Sequence, residues 1–153
     1  MILKVSHVLE TKNKDIWSIH PEAKAFNALE IMAEKDIGAL LVIDNEKLVG
    51  IFSERDYARK VILKGKSSKE TSVGELMTRE VFFISPKKSI EECMSLMTST
   101  GSHHIPVIEA GKLIGVVSIG DVVNAIITTQ KVEIEDLKNY GTIGRYGSEW
   151  TAS

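Results

Sequence analysis

The chain has 153 residues, of which 43% are hydrophobic, enough for one domain-sized core. Its 19 basic and 21 acidic residues give a formal net charge of −2, which supplies no global field for nucleic acid or an anionic membrane. No apolar run approaches the roughly 18 residues of a membrane span, the longest being Ile37 to Ile43, and Met1-Ile2-Leu3-Lys4 lacks a signal-peptide pattern, so a cytoplasmic protein is expected.

Val5, Val8 and Leu9 form a short helical or turn-like lead-in, followed by an extended stretch from Ile16 to Ile19 that stops at Pro21. Ala25, Ala28, Leu29 and Met32 then recur at i, i+3, i+4 and i+7, which predicts an amphipathic helix. The apolar runs Ala39 to Ile43 and Leu48 to Phe52 flank the polar Asp44-Asn45-Glu46-Lys47 and read as a hairpin-like strand pair. Ser53 leads into a second helix with Asp56 in its first turn. Residues Lys64 to Thr71 are polar and glycine-interrupted, a surface linker.

The same order then returns. Val73, Leu76 and Met77 form a lead-in, Val81 to Ile84 an extended stretch ended by Pro86, and Ile90, Cys93, Met94 and Met97 a helix stripe. Ile105 to Ile108 and Leu113 to Val117 flank Glu109-Ala110-Gly111-Lys112, and Ser118 precedes a helix bearing Asp121. That helix is expected to run through Val122, Val123 and Ile126 toward Ile134 and Leu137, ending at Tyr140-Gly141 before a loosely ordered tail. Cys93, the single cysteine, reads as a reduced core thiol.

Shifting the chain by 65 residues aligns 17–58 with 82–123 without a gap. Identical pairs include Ile19/Ile84, Pro21/Pro86, Met32/Met97, Val42/Val107, Gly50/Gly115, Ser53/Ser118 and Asp56/Asp121. The chain therefore carries two copies of one strand-helix-strand-strand-helix unit, an α+β fold. The first repeat with its lead-in spans 1–64, the linker and second lead-in 65–79, the second repeat 80–140, and the tail 141–153.

Three sets of residues carry a resemblance to a known family: Gly50-Ile51-Phe52-Ser53-Glu54-Arg55-Asp56 with Gly115-Val116-Val117-Ser118-Ile119-Gly120-Asp121, then His103-His104-Ile105-Pro106-Val107-Ile108, and Val73-Gly74-Glu75-Leu76-Met77-Thr78. In register, they resemble the tandem cystathionine-β-synthase (CBS) domain pair, or Bateman module, and the run Ser53-Glu54-Arg55-Asp56-Tyr57 with Gly65-Lys66-Ser67-Ser68 more closely resembles its small stand-alone members. The resemblance covers nearly the whole chain. It implies two pseudo-twofold-related repeats with a cleft that takes AMP, ATP or NAD(H), as a regulatory ligand and not a catalytic cofactor.

An ionised carboxylate can accept both hydroxyls of a ribose diol, a role open to Asp56 and Asp121. The same Ser-x-x-Asp pattern also describes an N-cap with a first-turn acid answering the helix macrodipole, and the two roles can coexist. The family arrangement implies that the Asp56 pocket is completed by Ser85, His103, His104, Ile105 and Pro106, and the Asp121 pocket by Ile19, His20, Ile37, Gly38 and Ala39. Arg55 can bind phosphate through its fork of donors, where the second copy has Gly120, so the Asp56 pocket is expected to be the tighter. Lys66 in the linker is a further candidate phosphate contact.

Other chemistries fit less well. Gly65-Lys66-Ser67 has Lys60 where a phosphate-binding loop needs its first glycine, and Gly141, Gly144 and Gly147 lack the dinucleotide-binding spacing and follow a helix. No nucleophile-elbow pattern surrounds Ser53 or Ser118. One cysteine and four scattered histidines lack metal-ligand spacing. The expected function is non-catalytic: a nucleotide sensor acting on a partner protein, or alternatively a dimeric interaction scaffold with an empty cleft. Val61, Ile62, Val123, Ile126 and Ile127 exceed the needs of one helix face and predict a homodimer.

Overall fold

The computed structural model describes residues 2–12 and 15–129. The expected helix extension through Ile134 and Leu137, and the tail, lie outside the described residues. The first unit comprises β1 (Ser18–Ile19), α2 (Ala25–Lys35), β2 (Ala39–Asp44), β3 (Lys47–Ser53) and α3 (Glu54–Tyr57), preceded by α1 (Val5–Thr11). After α3 the backbone continues as a π-helical turn over Ala58–Ile62. The second unit comprises α5 (Ile90–Thr100), β4 (His104–Glu109), β5 (Lys112–Ser118) and α6 (Ile119–Thr129), with α4 (Val73–Leu76) leading in.

The two hairpins are near replicas. Ala39 pairs with Ser53 and His104 with Ser118, positions related by the 65-residue offset, and each ladder slips at the equivalent point, Val42/Ile43 and Val107/Ile108. Each turns through two residues with positive φ, Asn45 and Glu46 in one and Ala110 and Gly111 in the other, the geometry whose twist suits a two-residue hairpin. The first extended stretch is shorter than the sequence predicts. In the first unit only Ser18 and Ile19 pair, parallel to Leu41 and Val42; in the second only Ile84 bridges to Val107.

Each unit has its own core. Ala25, Ala28 and Met32 of α2 pack with Leu40, Val42, Phe52 and Val61; Ile90, Cys93 and Met97 of α5 pack with Ile105, Val107, Val117 and Val122. Burial pushes the Cys93 thiol pKa up, which keeps it protonated and inert.

The lead-ins are exchanged between the cores. Val5 and Val8 of α1 are buried in the second core, and Val73, Leu76 and Met77 in the first. The backbone fixes this exchange: Val5 N–H donates to Lys88 O at 2.9 Å and Ser6 N–H to Pro86 O at 3.0 Å, while Val73 N–H donates to Ala23 O and Gly74 N–H to Pro21 O, both at 2.8 Å. The linker is tied down as well. Ala25 N–H donates to Thr71 O and Phe26 N–H to Ser68 O, so linker carbonyls satisfy the open amides of α2, whose N-cap Lys24 offers no side-chain cap.

This exchange explains the paired glycines. A Cβ on Gly50 would lie 2.6 Å from Met77 Sδ and 2.9 Å from the Thr78 carbonyl, whereas one on Gly115 would meet only the Leu9 side chain, at 2.8 Å. Thr78 cannot retreat freely, because its carbonyl and amide both pair with Ile51. Gly50→Ala is therefore expected to cost about 2 kcal/mol in chemical denaturation, and Gly115→Ala less than about 1 kcal/mol because Leu9 can change rotamer. Equal losses would contradict this account.

Candidate functional site

The helices α3 and α6 begin with the same reciprocal cap. Asp56 N–H donates to Ser53 Oγ at 3.1 Å while Asp56 Oδ2 accepts from Ser53 N–H at 3.0 Å; in the second unit Asp121 N–H reaches Ser118 Oγ at 3.1 Å and Oδ2 accepts Ser118 N–H at 2.8 Å. Both acids therefore serve as caps, and each also lines a cleft between the repeats.

The Asp56 cleft has a volume of about 510 Å³. Arg55, Arg59 and Lys60 bring three cations to its wall, Val81 and Phe82 come from the second extended stretch with Glu80 just before it, and His104 from the start of β4 with His103 just before it. Asp56 is only 8% exposed. Its carboxylate is fully engaged: Oδ2 also accepts from Ser53 Oγ at 3.0 Å, and Oδ1 accepts from Thr78 Oγ1 at 3.1 Å and Lys60 Nζ at 3.0 Å. A ribose diol would have to exchange with Thr78 or Lys60 at Oδ1, not simply add to it.

The Asp121 cleft is larger, about 560 Å³, and lined by Ile16, Trp17, Ile37, Gly38, Ala39 and Val116 among others. Here the partner cation comes from the exchanged lead-in. Lys12 Nζ donates to Asp121 Oδ2 and to Val116 O, both at 2.7 Å. Burial raises the Asp121 pKa, but the hydrogen bonds from Lys12 and Ser118 outweigh it and hold the carboxyl below the ordinary range. Among the described residues, Asp121 Oδ1 has no hydrogen-bond partner, and this side chain is 23% exposed against 11% for Asp56.

The two clefts meet at one point. Gly38, Ile51 and His104 line both, and the His104 ring lies 3.5 Å from where a Gly38 Cβ would sit. The aligned residues of Gly38 and Ala39 are His103 and His104, so the small pair of one repeat makes room for the imidazole of the other. Burial, reinforced by His103 and Lys12 and opposed by Asp121, lowers the His104 pKa. An unfolded chain takes up the His104 proton near pH 6.5, and the folded chain only at lower pH. Stability is then full above 6.5 and lost as pH falls through the folded value. The unfolding midpoint should decline from pH 6.5 downward, and His104→Gln should flatten the first part of that decline; an unchanged slope in the variant would exclude His104 as its source.

Of the residues predicted for the clefts, Ser53, Arg55, Asp56, His103 and His104 line the first, and Ile37, Gly38, Ala39, His104, Ser118 and Asp121 the second. Seven others line neither cleft. Ile19 and Ile105 are consumed by the two cores, and Pro106 is buried in β4. His20 and Ser85 are aligned turn residues that accept backbone hydrogen bonds from Glu22 and Lys87. Lys66 stays exposed beyond the π-helical turn, its amide bonded to Val61 O, and Gly120 lies at the start of α6 outside the cleft lining. The positions that the extended stretches do contribute are Ile16-Trp17, three residues upstream of the predicted Ile19-His20, and Val81-Phe82, upstream of the predicted Ser85. Sequence reading also passed over Lys12, Arg59, Lys60 and Thr78. Lys60 carried a signal, standing at i+4 from Asp56.

The CBS domain family model matches residues 5–62 and 73–128. A mitochondrial CBS domain-containing protein of Arabidopsis thaliana, CBSX3, is 37% identical over 146 residues, covering 89% of this chain and 70% of that protein. The structure of a CBS-domain protein from Burkholderia ambifaria superposes with a TM-score of 0.82 at 45% identity, over 86% of this chain and 98% of that one. CBSX2, solved in complex with AMP, superposes with a TM-score of 0.69 at 28% identity, over 84% of this chain and 98% of that one. Among the described residues, no helix is long and apolar enough to cross a membrane.

Proposed function

This chain belongs to the CBS-domain family as a tandem pair, and on that premise we propose that it is a regulatory module, not an enzyme, that binds AMP, ATP or NAD(H) between its repeats and relays occupancy to a partner protein. The observation that carries this reading is the Asp56 cleft, where Arg55, Arg59, Lys60 and His103 from two different repeats line one cavity of about 510 Å³. That size lies within the range of small-molecule sites. Its cations suit phosphate oxygens, with guanidinium groups able to bind them in pairs. The AMP complex of the related CBSX2 supports the ligand class. Because both repeats line the cavity, a bound nucleotide would bias their relative geometry, which is the differential contact that regulation needs. Calorimetry with AMP, ATP and NAD(H) tests the reading: at least one should bind with a Kd below about 1 mM, and no binding at that level would leave the interaction scaffold as the function.

The apolar surface left uncovered supports a homodimer. Ile119, Val123 and Ile127 recur every fourth residue on α6 and are 41%, 47% and 47% exposed, with Ile62 and Leu63 also exposed. Val61 and Ile126 do not contribute as their sequence suggests, because Val61 is buried in the first core and Ile126 packs on the second. Light scattering should give a dimer mass, with Ile127→Glu shifting it toward monomer; a monomeric parent protein would rule the dimer out. A reducing, cytoplasmic setting accords with the buried free thiol Cys93. Cell fractionation tests it, with an organelle matrix as the opposing result.

A further inference from the structure

The two clefts are related by the repeat but carry different charge. In the Asp56 cleft, Arg55, Arg59 and Lys60 balance Glu54, Asp56 and Glu80. The residues aligned with those cations in the second repeat are Gly120, Asn124 and Ala125, so none of the three has a charged counterpart. Among the described residues that line the Asp121 cleft, Lys12 stands against the carboxylates of Glu10, Asp36, Glu109 and Asp121, and Lys12 is already bonded to Asp121 at 2.7 Å. His104, which lines both clefts, is held toward its neutral form by burial.

Much of the remaining wall of the Asp121 cleft is apolar. Trp17, Leu41, Ile114 and Val116 line it, and Trp17 is 37% exposed, with Lys35 Nζ lying over its ring at 4.4 Å from the centroid. A phosphate entering there would leave water for a surface of excess negative charge, whereas a ribose could still donate to the Asp121 carboxylate. We infer that the Asp121 cleft excludes phosphate and takes an uncharged or cationic adenine nucleoside, while the Asp56 cleft takes the phosphate-bearing ligand. This inference rests on the nucleotide-binding reading and divides it between two sites of opposite selectivity.

A charge series on one scaffold tests it: AMP, adenosine and 5′-amino-5′-deoxyadenosine, which differ only at the 5′ position. The chain has two tryptophans, so in the full-length Trp150→Phe variant Trp17 is the sole tryptophan and reports on the Asp121 cleft. Adenosine and its amino analogue should move Trp17 emission, with AMP at least about tenfold weaker at low ionic strength and the gap narrowing as salt is added. Calorimetry on the same protein should show AMP binding that leaves Trp17 unmoved, at the Asp56 cleft. The double variant Asp36→Asn, Glu109→Gln should close part of the gap, and asparagine suits the left-handed backbone of Asp36, whose φ is 54°. AMP moving Trp17 with an affinity equal to that of adenosine would overturn the inference. So would calorimetric AMP binding with Trp17 silent to all three ligands, while leaving the proposed function intact. Failure of all three ligands to bind by calorimetry would overturn the nucleotide-binding reading together with this one.

Discussion

Asp56→Ala is expected to destabilise the protein by about 3 kcal/mol and lower the unfolding midpoint by about 6–12 °C, well beyond what loss of a surface helix cap would do. A first-turn acid acting only on the macrodipole is worth about 0.3–1 kcal/mol. Asp56 does more than that, because its two oxygens collect hydrogen bonds from Ser53 N–H, Ser53 Oγ, Thr78 Oγ1 and Lys60 Nζ inside a nearly closed site. Removing the carboxylate leaves Ser53 N–H without an acceptor and cuts the side-chain tether between α3 and Thr78, which follows the exchanged lead-in. Lys60 keeps one partner, the Leu76 carbonyl at 2.9 Å. Asp121→Ala should cost less, since Asp121 is more exposed and its bonds to Lys12 and Ser118 converge on Oδ2. Differential scanning calorimetry of the two variants decides the matter: equal midpoints would mean that the Thr78 and Lys60 contacts contribute nothing.

The difference between these two aspartates also marks where sequence reading reaches its limit. The Ser-x-x-Asp pattern is local, and both caps formed as that pattern requires. The repeat, the hairpins and the α2 and α5 core stripes were legible for the same reason: each follows from periodicity within a few residues of itself. The partners that distinguish the two acids are not local. Lys12 lies 109 residues from Asp121, and it arrives there because Val5 and Val8 bury in the second core instead of the first. Nothing in an apolar lead-in specifies which of two similar cores it will cover. The misplaced cleft wall has a related cause. Ile19 and Ile84 are identical in the alignment because both are needed by a core, while the residues that line the clefts, Trp17 and Phe82, differ between repeats. Identity between copies reports shared packing, and differences report the chemistry that separates the sites.

That same logic yields the largest binding effect expected of any pair of substitutions. In Arg55→Gln, Arg59→Asn the wall of the Asp56 cleft loses two of its three cations and approaches its counterpart in α6, where Gly120 and Asn124 stand. ATP affinity should fall about a hundredfold at low salt, roughly tenfold for each guanidinium, because a charge-assisted hydrogen bond is worth about 1.5–3 kcal/mol. Adenosine affinity should change less than about twofold, since it presents no phosphate. Folding should be nearly unaffected: both side chains are exposed, and the bond that Arg55 donates to Gly101 O is long at 3.4 Å. The salt dependence of ATP binding should also become shallower, because two of the charges that draw the triphosphate are gone. Titration calorimetry at two ionic strengths measures both quantities. An unchanged ATP affinity in a folded double variant would show that Arg55 and Arg59 do not read phosphate, and the Asp56 cleft would then lose the charge argument that sets it apart from its twin.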